Sequence, residues 1–316
     1  MPPAPEKFRI KPPGLRPGDK VGIVAPASNL KREALEAGCD GLRSVGYEPF
    51  YLDSILQRDL YFAGSVDRRA RELEEMFARD DIKAIVCARG GYGSNYLLPA
   101  LDLAKIAAHP KIFVGYSDLT SLLTWFTDKT NLVTFHGPMA VKDFALPDGV
   151  DLASWQSALS GESDWQIAET SGAKPLVAGE AKGILYGGCL SILVASLGTP
   201  YEIQTGGTIL FLEDIAAKPY QIDRMLMQLK LAGKLGDVRG IVFGEMLDCR
   251  QSAAQDYTLE EVVLRVVGDL KIPTAFGLRS GHVSRSNITL PIGVHAKLEV
   301  GNIVTFKILE SSVQQP

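Results

Sequence analysis

From about position 20 to 133, short apolar and β-branched runs alternate with stretches whose apolar residues recur every three or four positions. Side chains alternate faces along a strand and return to one face about every 3.6 residues along a helix, so this alternation predicts crossover units building a parallel sheet. Residues 21–25 read as the first strand, Pro26, Ala27 and Ser28 as a turn, and Leu35, Cys39, Leu42 and Val45 as one stripe of the helix that follows. Ser65 is expected to N-cap a second helix through Leu73, Met76 and Phe77, because its oxygen can accept from the free amides of a first turn. Residues 84–88 are apolar throughout, as in a strand covered by helices on both faces. Residues 112–116 form a further strand, and a helix over about 118–126 carries Leu119, Leu122, Leu123 and Phe126.

Between about 146 and 182 the periodicity lapses into DGVD, SGESDW and SGAK, polar text that reads as a linker or crossover. We therefore divide the chain into 1–150, a connection over 151–182, and 183–316. The last part is expected to hold a helix near 191–197, a strand at 208–212, a helix at 221–231 and a strand at 240–243. From Ile288 through Leu290, Val294, Leu298, Val300, Ile303 and Phe306, β-formers punctuated by Gly301 and Asn302 predict antiparallel strands, so this domain is mixed. The chain holds no internal repeat and no low-complexity tract.

A chain of 316 residues, 46% of them hydrophobic, has material for a full core in two domains. With 33 Lys+Arg against 37 Asp+Glu it offers no basic face to a nucleic-acid backbone. No apolar run approaches the roughly 20 residues of a membrane span, and the proline-rich opening MPPAPEKFRIKPP does not read as an export signal. Cys39, Cys87, Cys189 and Cys249 lie far apart without a CxxC pair, so buried free thiols are expected rather than a metal site or a disulfide frame.

Ligands of open α/β sheets bind beyond the carboxyl ends of the strands. At one such end, Gly115-Tyr116-Ser117-Asp118 puts a serine between a strand and a helix, the context in which a sharp turn presents a hydroxyl. Leu119 occupies the second glycine position of a GxSxG elbow, so the match is partial, and Ser117 as a simple N-cap is the competing reading. At another, the glycines of Arg89-Gly90-Gly91-Tyr92-Gly93-Ser94 permit positive φ and close approach of backbone amides to an anion, with a plain tight turn as the alternative. Tyr96 stands where a GxGxxG needs its last glycine, and no GxxxxGK[ST] occurs, which leaves dinucleotide binding weak and triphosphate hydrolysis unsupported.

A serine nucleophile needs a base, and the base needs an orienting group. Of the four histidines, His109 lies in a polar loop and His295 in a strand-like run, leaving His136 after Val133-Thr134-Phe135 and His282 in Ser280-Gly281-His282-Val283-Ser284. Glu213, Asp214 and Glu245 all follow strand-like runs and are the candidate orienting acids, and spacing does not choose among them. Each also has an ordinary reading as a helix cap or surface ion-pair partner.

Taken together, GDKVGIVAPAS, ARGGYGSNYLLPALD, KIFVGYSDLT, TFHGPM, GGCLSILVASLGTPY, FLEDI, PYQIDRMLMQL, GIVFGEM and GHVSRSNITLPIG resemble, in order and over nearly the whole chain, the LD-carboxypeptidase family of serine peptidases, which includes the microcin self-immunity peptidases. The resemblance implies Ser117 as nucleophile, His282 as general base and acid, Glu213 as the carboxylate that orients it, and an oxyanion hole from the backbone N–H groups of Gly91 and Asp118. It places Tyr92, Gly93 and His136 near the cleft as substrate-binding candidates. Arg89 and Arg285 are candidates, on position alone, for a substrate carboxylate. It implies a flavodoxin-like parallel-sheet domain carrying Ser117 and a mixed α/β domain with antiparallel strands carrying Glu213 and His282. The expected reaction is hydrolysis of an L,D-peptide bond, releasing terminal D-alanine from cytoplasmic muropeptide tetrapeptides through an acyl-enzyme, by a homodimer without metal or cofactor. One rival is a microcin-immunity-like peptidase acting on a peptidyl or aminoacyl nucleotide, marked by an aromatic platform that the sequence does not reveal. The other is a non-catalytic two-lobe binding protein. Similar proteins often read GGNL where this chain has Gly187-Gly188-Cys189-Leu190, so Cys189 stands in place of an asparagine.

Overall fold

The structure, a computed structural model, describes residues 9–167, 172–250 and 256–314. The reading of the extreme amino terminus falls largely on residues outside that set. Five strands arise in the first half: β1 (Lys20–Val24), β2 (Glu48–Phe50), β3 (Ile82–Cys87), β4 (Ile112–Gly115) and β5 (Thr134–His136). They lie in the order β2-β1-β3-β4-β5, all parallel, which is a flavodoxin-like doubly wound arrangement. Alternation of side chains explains why both faces must be covered. Val21, Ile23, Ala84, Val86, Ile112 and Val114 enter one apolar cluster, while Val24, Ile85, Cys87 and Phe113 enter another. The covering helices are α1 (Arg32–Ser44), α2 (Val66–Ala78), α3 (Leu103–Ala108) and α4 (Thr120–Lys129). Ser65 caps α2 as expected, accepting from the Arg68 N–H at 3.2 Å.

The stretch expected to be irregular contains α5 (Leu152–Leu159), capped by Asp151, and the short strands β6 (Trp165–Gln166) and β7 (Lys174–Val177). Residues 168–171 of that stretch lie outside the described set. A second sheet then forms from β8 (Gly179–Cys189), β9 (Thr208–Glu213), β10 (Gly240–Gly244) and β11 (Thr274–Leu278), parallel to one another, with β7 antiparallel on β11. The helices α6 (Leu190–Ala195), α7 (Pro219–Leu231) and α8 (Leu259–Val267) accompany it.

The β-rich tail splits between the sheets. β12 (Leu290–Ile292) pairs antiparallel with β5 as the edge strand of the first sheet, whereas β13 (His295–Val300) and β14 (Val304–Ile308) extend the second beyond β8. Pro291, which has no N–H to give, is tolerated because β12 lies at an edge. One apolar cluster runs without a break from Val21 and Ile23 of the first sheet to Phe211 and Phe243 of the second. No helix among the described residues is long and apolar enough to cross a membrane.

Candidate active site

β4 is buried along its whole length, so the chain must turn sharply where it ends before α4 can pack beneath the sheet. Ser117 makes that turn at φ 63°, a left-handed conformation that costs a non-glycine residue about 1–2 kcal/mol. The N-cap positions of the 3-10 turn Ser117–Leu119 and of α4 fall on Tyr116 and Leu119, and neither supplies a side-chain cap. The capping role weighed for Ser117 is therefore absent, and its half-buried hydroxyl is presented rather than spent on a helix end.

The glycine loop is fitted to this turn. A side chain on Gly90 would begin 2.8 Å from Ser117 Cβ, and Gly91 and Gly93 hold φ 106° and 129°. Asp118 clamps the loop: its Oδ2 accepts from the Ser94 N–H at 2.8 Å, while Ser94 Oγ donates to the Asp118 carbonyl at 2.6 Å. Burial pushes the Asp118 carboxyl up, partly offset by these Ser94 contacts. The N–H groups of Gly91 and Asp118 bond to no other described residue. The buried Arg69 guanidinium donates to the carbonyls of Pro26 at 2.6 Å, Gly93 at 2.7 Å and Gly64 at 3.2 Å, tying three loops together. Sequence reasoning missed Arg69, because on α2 it reads as one of many surface charges.

Glu213 closes β9 and is fully buried. Its Oε2 accepts from both the His282 backbone N–H at 3.0 Å and His282 Nδ1 at 2.7 Å, which fixes the ring and leaves Nε2 without a described partner. The imidazole stands edge-on to Tyr116, with centroids 5.1 Å apart and planes at 86°, and so lies against the residue that precedes Ser117. Burial alone would raise the Glu213 carboxyl, but His282 and His136 hold it well below the usual carboxylate range. Asn287, another residue the sequence did not flag, grips the His282 loop from both sides: its Oδ1 accepts from Gly281 N–H at 2.9 Å and its Nδ2 donates to the Gly281 carbonyl at 3.2 Å.

The alternatives left open by spacing thus separate. Asp214 caps the start of α6 by accepting from Ser191 N–H at 2.8 Å, and Glu245 accepts from Ser284 N–H at 3.1 Å, so neither meets His282. His136, expected among the substrate-binding positions, has no exposed surface and packs beside Glu213, with Nε2 3.7 Å from its Oε1. Gly93 is buried as well, its backbone engaged by Arg69. Arg89 and Tyr92 are exposed beside the loop, whereas Arg285 lines a cavity with Lys174, Glu245 and Arg279 that none of Ser117, Glu213 and His282 borders. Tyr61, Phe62, Tyr92 and Tyr96 form a partly exposed aromatic patch next to the glycine loop, with Tyr61 and Tyr92 centroids 6.0 Å apart. The sequence hid this patch because its members come from segments about thirty residues apart. The four cysteines are buried and free; burial drives the Cys189 thiol well upward, with Glu213 and Asp214 adding to the effect, and its backbone N–H donates to Thr120 Oγ1 at 3.0 Å.

Comparison with known proteins gives two family matches. The family of LD-carboxypeptidase N-terminal domains matches residues 21–137, and that of LD-carboxypeptidase C-terminal domains matches residues 182–298. A probable murein peptide carboxypeptidase of Bacillus subtilis (strain 168) is 39% identical over 311 residues, 98% of this chain and 97% of that protein. Among solved structures, MccF in complex with glutamyl sulfamoyl guanosine aligns with TM-score 0.88 at 26% identity, covering 96% of this chain and 99% of that one. The muramoyltetrapeptide carboxypeptidase from Oxalobacter formigenes aligns with TM-score 0.79 at 30% identity, covering 92% and 99%.

Proposed function

The chain belongs to the LD-carboxypeptidase family and is a serine-type carboxypeptidase hydrolase, and from that premise we propose that it cleaves the L,D bond of murein tetrapeptides, releasing terminal D-alanine. The observation that carries the reading is the doubly bonded Glu213–His282 pair, which holds an imidazole with Nε2 unengaged beside the strained Ser117 turn. In this mechanism His282 Nε2 takes the Ser117 proton as the oxygen attacks the carbonyl, and Glu213 stabilises the imidazolium that results. The N–H groups of Gly91 and Asp118 receive the oxyanion; losing one such donor typically costs about 2.7–4 kcal/mol. His282 then protonates the leaving D-alanine nitrogen, and water activated by the same ring opens the acyl-enzyme. Arg89 is the nearer candidate for the free carboxylate of the substrate. The reading places the enzyme in the cytoplasm, where murein peptides are recycled, and expects a homodimer.

The aromatic patch favours a second reading, because tyrosine faces beside the glycine loop suit the flat base of a peptidyl or aminoacyl nucleotide. One experiment addresses both. Purified protein is incubated with L,D-tetrapeptides and with an aminoacyl sulfamoyl nucleotide, and released products are read by mass. We expect D-alanine release from the tetrapeptide, falling at least about 10³-fold in Ser117→Ala. Turnover that survives in that variant removes the nucleophile assignment, and cleavage of the nucleotide alone selects the second reading.

A further inference from the structure

His136 closes β5, opposite Gly115 in register with β4, and the Gly137 N–H donates to the Gly115 carbonyl at 3.2 Å. Its backbone is therefore locked to the strand that delivers Ser117, two residues on. Its side chain leaves that sheet and meets the other half of the molecule at two points. Nδ1 lies 3.0 Å from Ser280 Oγ, on the loop that carries His282, and Nε2 lies 3.7 Å from Glu213 Oε1, the carboxylate oxygen that His282 does not use. Ser280 Oγ also lies 2.8 Å from the Ile288 carbonyl, so its single proton has two acceptors to choose between; turned to His136 Nδ1, it makes Nε2 the protonated nitrogen of the neutral ring. Both His136 Nε2 and Glu213 Oε1 are fully buried and neither has another hydrogen-bond partner. A bare nitrogen facing a buried carboxylate oxygen would set two lone pairs against each other without water to relieve them, whereas a proton on that nitrogen turns the contact into an attraction.

We propose that His136 is a positioning residue that directs Nε2–H at Glu213 Oε1 and so holds the Glu213–His282 pair in alignment with Ser117 across the two halves of the chain. The inference rests on the triad reading above and extends it to a fourth side chain that touches no substrate. Glu213 is then gripped from opposite sides, and its rotation, which sets the direction of the His282 ring, is referenced to the sheet of the nucleophile. The groups facing His136 fit this role. Glu213 and Phe211 come from β9, with the Phe211 ring centroid at 5.1 Å; Tyr116 comes from the end of β4 at 6.0 Å; Ser280 and Gly281 come from the His282 loop; Leu290 of β12 is its register partner. Asp143 and Lys142 lie beyond Tyr116, with Lys142 Nζ 5.5 Å from that ring and Asp143 interacting with its hydroxyl. Glu213 is thus the carboxylate that His136 itself meets.

The test compares His136→Phe, which keeps a flat ring without a donor, with His136→Gln, whose amide can return a donor towards Glu213. Three readouts are taken on the full chain: kcat and KM for tetrapeptide hydrolysis, the rate at which a fluorophosphonate probe labels Ser117, and the downfield NMR resonance of the His282–Glu213 proton. We expect His136→Phe to lose about 100-fold in kcat and in labelling rate with little change in KM, the size of effect that a displacement of about 1 Å can bring. The downfield resonance should shift or vanish, and His136→Gln should recover a substantial part of both rates. Labelling and kcat within about threefold of wild type in His136→Phe, with the resonance unmoved, would overturn the proposal. So would equal losses in both variants that follow their melting temperatures, as simple loss of packing requires. Failure of the probe to label the wild type tells against Ser117 as nucleophile, and the resonance, which needs neither substrate nor serine, still decides the role of His136.

Discussion

Asp143 shows how one buried side chain near the Ser117 turn sets a pH response. It lies in the turn Ala140–Phe144, its Oδ2 accepts from Met139 N–H at 2.8 Å, and burial, only partly offset by Met139, Lys142, Asn287 and Tyr116, pushes its carboxyl up to about 6. The folded protein therefore binds this proton more tightly than the unfolded chain, so the group lowers stability progressively as pH rises from about 4 to about 6. Asp143→Asn removes that titration while keeping an oxygen for Met139. The stability difference should be small near pH 4 and grow in favour of the variant towards pH 7, by up to about 3 kcal/mol, in thermal melts at the two pH values. A difference that does not grow removes Asp143 as the source. Legibility at this scale was uneven. Ser117 stood out because a hydroxyl between a strand and a helix is visible in sequence, yet only its backbone conformation separates presentation from capping. His136 was equally visible as a loop histidine, but its burial was not, since that depends on Glu213 and β12, both far along the chain.

Among the elements, the loop between β11 and β12 concentrates the constraint. Gly281 holds φ 91°, and a Cβ there would meet Glu213 Cδ at 2.6 Å and His136 Cε1 at 2.8 Å. Glycine is required on both counts, because backbone and space each refuse a side chain. Gly281→Ala should therefore displace the Glu213 carboxylate and cut kcat/KM by about 100-fold or more, measured by tetrapeptide hydrolysis beside a melting curve; activity near wild type would mean that the loop absorbs the methyl without moving Glu213. The regular elements around this loop were legible wherever an apolar run was continuous, as in β3 and β4, or a stripe was sustained, as in α1. Between 146 and 182 they were not. α5 is eight residues long, and β6 and β7 are two and four, lengths over which neither period repeats enough to be read.

At the scale of the molecule, the division of the chain near 150 and 183 remains our proposal, and the contacts across it are close. A side chain on Gly188 would begin 2.7 Å from Thr120 Oγ1, and the Cys189 N–H donates to that same oxygen, so β8 rests directly on the start of α4. The mixed second sheet was foreseeable from the switch between helical stripes and a β-rich tail. That its first piece would leave for the other sheet was not, because Leu290, Pro291 and Ile292 carry no mark of the strand they join. β12 also ties the first sheet to a distant part of the chain. The parallel sheet that presents Ser117 keeps an open edge along β5 until residues 290–292 are available to pair with it. A recombinant fragment of residues 1–150 should accordingly associate or precipitate through that edge, as light scattering would reveal, and a soluble, cooperatively melting monomer would contradict this. The first sheet is thus completed only by residues that come after Glu213 and His282 in the chain, so no fragment that stops short of β12 closes the edge beside Ser117.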